Sequence, residues 1–195
     1  MEVGKQRLLW RAANNGNAAE VKALLEDRGC DVMWGNPDSF RNTALHTAAF
    51  QGNTEVMVLL LNDSRVDVNR RNTRGNTALN LATWNGQTDI VKVLLADRRV
   101  DPSIKSHSGG TPLWSGVHHG TMEIVRLLLV SDQDPCIEEP AGYMDWDDSL
   151  SYMTPLEVAE RRNHFEIVRL LSRFISKPAK TKAELKRELG LAGSF

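Results

Sequence analysis

The chain has few of the features that mark secreted, membrane-bound or strongly charged proteins. Its two cysteines, Cys30 and Cys136, stand far apart and outside any CxxC spacing, so neither a disulfide framework nor a zinc knuckle is indicated. The longest aliphatic run, VMVLLL at 56–61, is far too short to span a bilayer, and the start MEVGKQRLLW lacks the apolar stretch of a signal peptide. We therefore expect a folded protein of the cytoplasm, with the nucleus as a second option, and no membrane segment.

Charge excess and catalytic signatures are also absent. Twenty-four basic and 25 acidic residues leave a net charge of -1, which gives no global field toward nucleic acid or an anionic membrane. The sequence has no GxGxxG, GxxxxGK[ST], GxSxG or HExxH pattern. We therefore expect a protein that is not an enzyme, needs no cofactor or metal, and binds neither membranes nor nucleic acid.

What the chain does have is an internal repeat. NTALHTAAFQGNTEVMVLLL at 42–61 recurs as NTALNLATWNGQTDIVKVLL at 76–95 and as GTPLWSGVHHGTMEIVRLLL at 110–129, with a period of 34 residues. A fourth copy, TPLEVAERRNHFEIVRLL, starts at Thr154, and LLWRAANNGNAAEVKALL at 8–25 reads as an N-terminal capping copy. A fixed period of this length is the signature of a stacked repeat protein.

Each copy predicts two short helices separated by a glycine. A threonine can cap the first helix, and Pro112 and Pro155 sit one residue later, where a missing amide proton costs nothing. Small residues such as Ala48 and Ala82 follow, as expected where two helices approach closely. A glycine then ends the helix, and an aliphatic run with helical spacing forms the second one.

These motifs resemble the ankyrin repeat family, with its TPLHxAAxxG helix, LEIVxxLL helix and GADVN-type hairpin. The resemblance implies an all-α, right-handed solenoid of about five repeats, including the capping copy, whose hairpins project at one side. We expect an ankyrin domain over 1–175 and a capping helix or tail over 176–195. The expected repeats are 5–38, 39–72, 73–106, 107–150 with an insert at 140–153, and 151–175.

The resemblance also implies a protein-binding role, in a scaffold, adaptor or regulatory module that acts as a monomer. It places the most variable positions on the concave face and hairpin tips. We predict Phe40, Phe50, Trp84 and Arg74 as the centre of a partner site, although Phe50 or Trp84 could instead fold back between repeats. The full predicted set is Phe40, Phe50, Gln51, Arg74, Trp84, Asn85, His107, His118, His119, Arg161 and Arg162.

One tryptophan and one arginine-rich hairpin are expected to serve packing or to face solvent, and not to form specific ligand sites. Trp114 stands where the family has a histidine that ties the hairpin to the helix start, so we expect it to be buried there. Arg70, Arg71 and Arg74 lie on one hairpin that could meet phosphate, but no aromatic residues alternate with them as in nucleic-acid sites. A solvated tip or attraction to an acidic partner fits them better.

The acidic, aromatic insert adds a further candidate surface. Tyr143, Trp146 and Asp147 are predicted to contact a partner, with a purely decorative loop as the alternative. A metal-dependent or acid/base function that uses His107, His118, His119 and this insert is the alternative to protein binding. The doublet His118 and His119 argues against it, because adjacent helical residues point about 100° apart.

The C-terminal segment predicts one more helix. Thr181 and Glu184 have capping-box spacing, so we expect a helix from Thr181 to Leu189 that Gly190 closes. Leu185 and Leu189 could then seal the edge of the last repeat. A docking tail for a second partner is the alternative.

Overall fold

The computed structural model describes residues 4–140 and 152–191, whose named regular elements are all α-helices, joined by turns and hairpin loops. They form two compact units, Met1–Val100 and Asp101–Phe195. The helices of the first unit are α1 (Lys5–Asn14), α2 (Ala18–Glu26), α3 (Ala44–Gln51), α4 (Thr54–Leu61), α5 (Ala78–Trp84) and α6 (Thr88–Ala96). Those of the second are α7 (Pro112–His118), α8 (Met122–Val130), α9 (Pro155–Arg161), α10 (Phe165–Ser176) and α11 (Pro178–Glu188).

In the first unit the helices pack as sequential pairs in two rows. The first helices of each pair, α1, α3 and α5, lie side by side, and the second helices, α2, α4 and α6, form the other row. The small residues Ala12, Ala48 and Ala82 are fully buried, so the helices can approach closely, as the repeat pattern predicted. The second helices contribute buried aliphatic side chains such as Leu60 and Leu94 to the same core.

Threonines begin the first helices of the later repeats. The side-chain oxygens of Thr77, Thr111 and Thr154 each accept a hydrogen bond from the backbone N–H three residues on. This satisfies one of the amide groups that the first turn of a helix leaves without a partner. Pro112 and Pro155 occupy the first helical position, where the sequence placed them.

Left-handed residues separate the two helices of each pair. Gly52 has φ 80°, and a β-carbon there would lie 2.5 Å from the Gln87 side chain of the next repeat, so both conformation and space require glycine. Asn163 stands where the family has glycine and adopts φ 59°. Asparagine tolerates this conformation better than most residues, which explains how the last repeat keeps its turn.

In the second unit, α7 packs on α9 and α8 packs on α10, while α11 covers α8 and α10. Leu185 of α11 is fully buried, as predicted for a residue that seals the last repeat. The predicted helix start at Thr181 is wrong: α11 begins at Pro178, since proline favours the first turn. Thr181 is instead buried within the helix, and its hydroxyl donates to the Arg173 carbonyl at 3.2 Å. Gly190 follows the helix with φ 69°, as predicted.

No helix in the described ranges is long and apolar enough to cross a membrane.

Candidate protein-binding surface

Two neighbouring hairpins of the first unit are joined by a ladder of hydrogen bonds. The buried Asn72 side chain donates to Asn42 Oδ1 at 2.8 Å. Thr73 donates twice to the Phe40 carbonyl, from its backbone N–H at 2.9 Å and from its hydroxyl at 3.0 Å. Because these bonds link hairpin 36–42 to hairpin 72–76, the two tips are held in a defined relative position.

Phe40 projects from the first of these hairpins. Its backbone has φ 49°, a left-handed conformation that is rare for an aromatic residue, and 48% of the residue surface is exposed. The guanidinium carbon of Arg74 lies 3.8 Å from the centroid of the Phe40 ring. Residues held in strained backbone conformations often belong to binding sites.

Phe50 and Gln51 stand at the end of α3. Phe50 is 45% exposed, so it does not fold back between repeats. The Gln51 side chain donates to Asn14 Oδ1 at 2.9 Å, and the Thr47 hydroxyl donates to the same oxygen at 3.1 Å. This bridge from α3 to α1 holds the base of the surface beside Phe50.

These groups enclose one cleft, which we call the aromatic cleft, of about 220 Å³. It brings together four of the predicted partner-binding residues, Phe40, Phe50, Gln51 and Arg74. It also includes Trp10, Asn14, Asn42 and Leu81, which sequence reasoning did not select. The repeat alignment could have added Asn14, because it occupies the position equivalent to Phe50. Trp10 shares the position of His46 and Trp114, where packing is expected, and no sequence signal singles out Leu81 as a cleft residue.

The structure does not place the predicted residues of the third repeat in this cleft. Trp84 is half-buried at the end of α5 and does not line the cleft. The Asn85 side chain donates back to the Leu81 carbonyl at 2.8 Å, which caps the end of the same helix. Their part in binding stays a prediction.

His118 and His119 lie together in the second unit. Their ring centroids are 4.8 Å apart in an edge-on arrangement, and the His118 ring stacks on Trp114 at 5.0 Å. Nη2 of Arg162 lies 3.2 Å from His118 Nε2. Burial, and then the charge of Arg162, lower the pKa of His119, so its protonation moves to a lower pH than for an ordinary histidine.

The histidines do not form a metal centre in the described part of the chain. His107 is exposed on its hairpin, and residues 4–140 and 152–191 hold no group of three His, Cys, Asp or Glu side chains that could bind a metal ion. Arg161 and Arg162 are exposed at the end of α9. The predicted insert residues Tyr143, Trp146 and Asp147 lie outside the described residues.

Trp114 and His46 occupy equivalent positions of two repeats, and each is buried with a ring nitrogen beside a backbone carbonyl oxygen further along the chain. Trp114 is fully buried, as predicted, and its Nε1 donates to the Met153 carbonyl at 2.9 Å. His46 Nδ1 accepts from the Thr43 N–H at 3.3 Å, and its Nε2 lies 3.0 Å from the Asn76 carbonyl oxygen. Burial lowers the pKa of His46 to about 4, so the ring is neutral near pH 7 and Nε2 carries the proton.

The cysteines are poor candidates for nucleophilic chemistry. Cys30 and Cys136 are both buried free thiols. Burial raises the pKa of Cys30, and burial together with Asp134 raises the pKa of Cys136 to about 11. Since the thiolate is the reactive form, neither side chain is activated at neutral pH.

Comparison with known families agrees with this architecture. A family model described as ankyrin repeats (3 copies) matches residues 9–106, half of the chain, so the chain belongs to the ankyrin repeat family. Domains of this family generally act as protein–protein interaction modules.

Among individual proteins, the chain is similar to cortactin-binding protein 2. The Rattus norvegicus protein is 39% identical over 70 residues, and the Mus musculus protein is 37% identical over 70 residues. Each match covers 35% of this chain and 4% of the relative. The chain therefore corresponds to a very small part of these relatives.

Proposed function

We propose that this chain is a non-catalytic module that binds a protein partner through the aromatic cleft of its first unit. The observation that carries the proposal is the pair of exposed aromatics, Phe40 and Phe50, which flank a cleft next to the Arg74 guanidinium. Aromatic and arginine side chains are the commonest energetic anchors of protein interfaces.

The rigidity of the cleft supports the same proposal. Thr73 holds the Phe40 backbone, and Gln51 is anchored to Asn14, so the surface is ordered before any partner arrives. A surface that is already ordered loses less side-chain and loop entropy when it binds. Exposed apolar groups gathered at one place are also uncommon on monomeric proteins unless they serve an interaction.

Similarity to the relatives supports the class of function and not a particular partner. The name of those proteins says that they bind cortactin, but the match covers 4% of their length. No observation in the described residues favours the metal-dependent or acid/base alternative.

Phe50→Ala tests the proposal. The full chain is immobilised, and proteins retained from a cell lysate are compared for wild type, Phe50→Ala and Phe165→Ala. Phe165 is the matched control, because it is 69% exposed but lies on α10 of the second unit. We expect Phe50→Ala to reduce retention of specific partners at least about tenfold, as for the loss of an interface anchor.

The variants should keep their stability. Because Phe50 is half exposed, Phe50→Ala should change the free energy of unfolding by less than about 1 kcal/mol. If the folded Phe50→Ala protein retained the same proteins as wild type, in the same amounts, the aromatic cleft would not be the binding surface.

A further inference from the structure

A second pocket opens beside the aromatic cleft, on hairpins 35–41 and 70–73. It has a volume of about 110 Å³, and three of its seven lining residues are arginines, namely Arg41, Arg70 and Arg71. We call it the arginine pocket. No acidic side chain lines it, in contrast to the arginines on α8 and α10, which have glutamates within 4 Å. The arginine pocket therefore concentrates positive charge in a protein whose net charge is -1.

Two acidic residues close in sequence to these arginines have other partners. Asp38 pairs with Arg7 at 3.3 Å, and Asp67 Oδ1 accepts the backbone N–H of Asn69 at 3.0 Å. In the described ranges, the guanidinium groups of Arg41 and Arg70 have no hydrogen bond and no carboxylate within 4 Å. Two of the three cations are thus available to an anion that enters the pocket.

Backbone geometry places Arg41 at this pocket. Phe40 and Arg41 are consecutive residues with φ 49° and 55°, both left-handed without being glycine. A β-carbon at Gly35 would overlap the Arg41 carbonyl oxygen, so glycine lets the two segments of the hairpin lie close together. Such a conformation is unfavourable for residues other than glycine and persists where the surrounding structure enforces it.

The hairpin also connects the two pockets. Phe40 lines the aromatic cleft, Arg41 lines the arginine pocket, and Asn72 and its neighbours form a wall between them. A ligand that fills both the arginine pocket and the aromatic cleft must therefore combine a compact anion with a neighbouring apolar or aromatic side chain. The arginine pocket, at about 110 Å³, has half the volume of the aromatic cleft, so it suits a compact anion such as a phosphate group on a short side chain.

We propose that the arginine pocket binds phosphoserine of the partner protein, while an adjacent apolar side chain of that partner enters the aromatic cleft. The inference rests on the proposed function and names the chemical class of the partner. Guanidinium groups match the oxygens of a phosphate in pairs, and a phosphoserine beside several arginines forms charge-assisted hydrogen bonds. Phosphorylation of the partner would then switch the interaction on.

Peptide libraries provide the test. Three libraries carry a central phosphoserine, serine or glutamate between five degenerate positions on each side, and each is passed over the immobilised full chain at about 0.15 M salt. We expect retention of the phosphoserine library to exceed that of the serine and glutamate libraries at least about tenfold, with apolar residues enriched near the phosphoserine.

Charge-matched variants locate the site. Arg41→Gln/Arg70→Gln should reduce phosphoserine retention to the level of the serine library. Arg11→Gln/Arg28→Gln removes the same charge from exposed positions that do not line the pocket and should retain wild-type binding. Melting temperatures of both double variants confirm that they are folded.

Several outcomes would overturn the inference. One is retention of the serine or glutamate library equal to that of the phosphoserine library. A second is unchanged retention of the phosphoserine library by Arg41→Gln/Arg70→Gln. A third is displacement of the peptides by an equimolar single-stranded oligonucleotide. If peptides lacking phosphate were retained and Phe50→Ala released them, the phosphate inference would fail while the proposed function would stand. If no library were retained and the lysate comparison showed no effect of Phe50→Ala, both would fail.

Discussion

The Arg74 guanidinium covers the face of the Phe40 ring, with 3.8 Å between the guanidinium carbon and the ring centroid. The two residues belong to successive hairpins, so this contact joins repeats as well as forming one wall of the aromatic cleft. It is a cation–π contact at an exposed site, where such contacts contribute about 0.5–1 kcal/mol.

A double-mutant cycle should measure that contact. Arg74→Ala, Phe40→Leu and the combined variant are unfolded with urea, and we expect a coupling free energy of about 0.5–1 kcal/mol. Arg28→Ala combined with Phe40→Leu is the control pair and should show additive changes. Coupling near zero for Arg74 and Phe40 would mean that the cation contributes nothing to the stability of the hairpins.

His46 should make folding sensitive to mild acid. Its pKa is about 4 in the folded protein and near the ordinary 6.5 when unfolded, so the unfolded state binds the proton more tightly. The stabilising contribution is complete above pH 6.5 and is lost as the pH falls toward 4. We expect His46 to account for a decrease of about 3 kcal/mol in the free energy of unfolding across that window.

His46→Asn isolates this effect. Asn80 occupies the same position in the next repeat, where its Oδ1 accepts the Thr77 N–H at 2.9 Å, so asparagine can form the cap without titrating. Because the variant loses the contact to the Asn76 carbonyl, its free energy of unfolding at pH 7 should be lower by about 1–2 kcal/mol. On acidification, its free energy of unfolding should fall less than that of wild type. His107→Asn, at an exposed position, serves as control. Equal acid sensitivity of His46→Asn and wild type would contradict the assignment.

Trp114 should be the most sensitive aromatic residue among the described residues of the second unit. It is fully buried and donates to the Met153 carbonyl, so Trp114→Ala should lower the free energy of unfolding by about 3–5 kcal/mol. Trp114→Phe keeps much of the ring but leaves that carbonyl without its donor, so it should lower the free energy of unfolding by about 1–3 kcal/mol. Trp34→Phe, at a half-buried site, should cost less than about 1 kcal/mol in the same denaturant titration.

Leu185 in α11 and Leu189 just after it provide a matched comparison. Leu185 is fully buried, whereas Leu189 is only partly buried after the helix ends. Leu185→Ala should therefore cost about 2–5 kcal/mol, and Leu189→Ala less than about 1 kcal/mol. Thermal unfolding measures both changes. Similar small effects for the two variants would show that α11 does not seal the final repeat.

Two lysines of α11 bind the segment that follows α8. Lys182 donates to the Ser131 carbonyl, and Lys182 and Lys186 lie 3.5 and 3.1 Å from Asp132 Oδ1. These pairs favour α11 as a cap of the second unit over a docking tail, since they use the polar face of the helix within the molecule. Capping of this kind keeps the edge of a repeat stack from exposing apolar surface.

Repeat alignment predicted the helices well because each repeat carries its own start and stop signals. Thr111 and Pro112 begin a helix by local hydrogen bonding and a fixed φ angle, so neighbouring residues are enough to recognise them. The helix start predicted at Thr181 came from capping-box spacing and not from the repeat, and it was wrong because Pro178, a stronger signal for the first turn, lies three residues earlier. The capping-box spacing there is a coincidence within the helix.

The sequence by itself determined the helix pairs, their caps and the buried small residues, because these features depend on contacts within one repeat or between equivalent positions of adjacent repeats. Only the tertiary structure decided which variable residues share a surface. It brought Trp10 and Leu81 beside Phe40 and Phe50, left Trp84 outside that cleft, and gathered Arg41 with Arg70 and Arg71. These groupings depend on left-handed hairpin residues and on hydrogen bonds between hairpins about 30 residues apart, which no local pattern encodes.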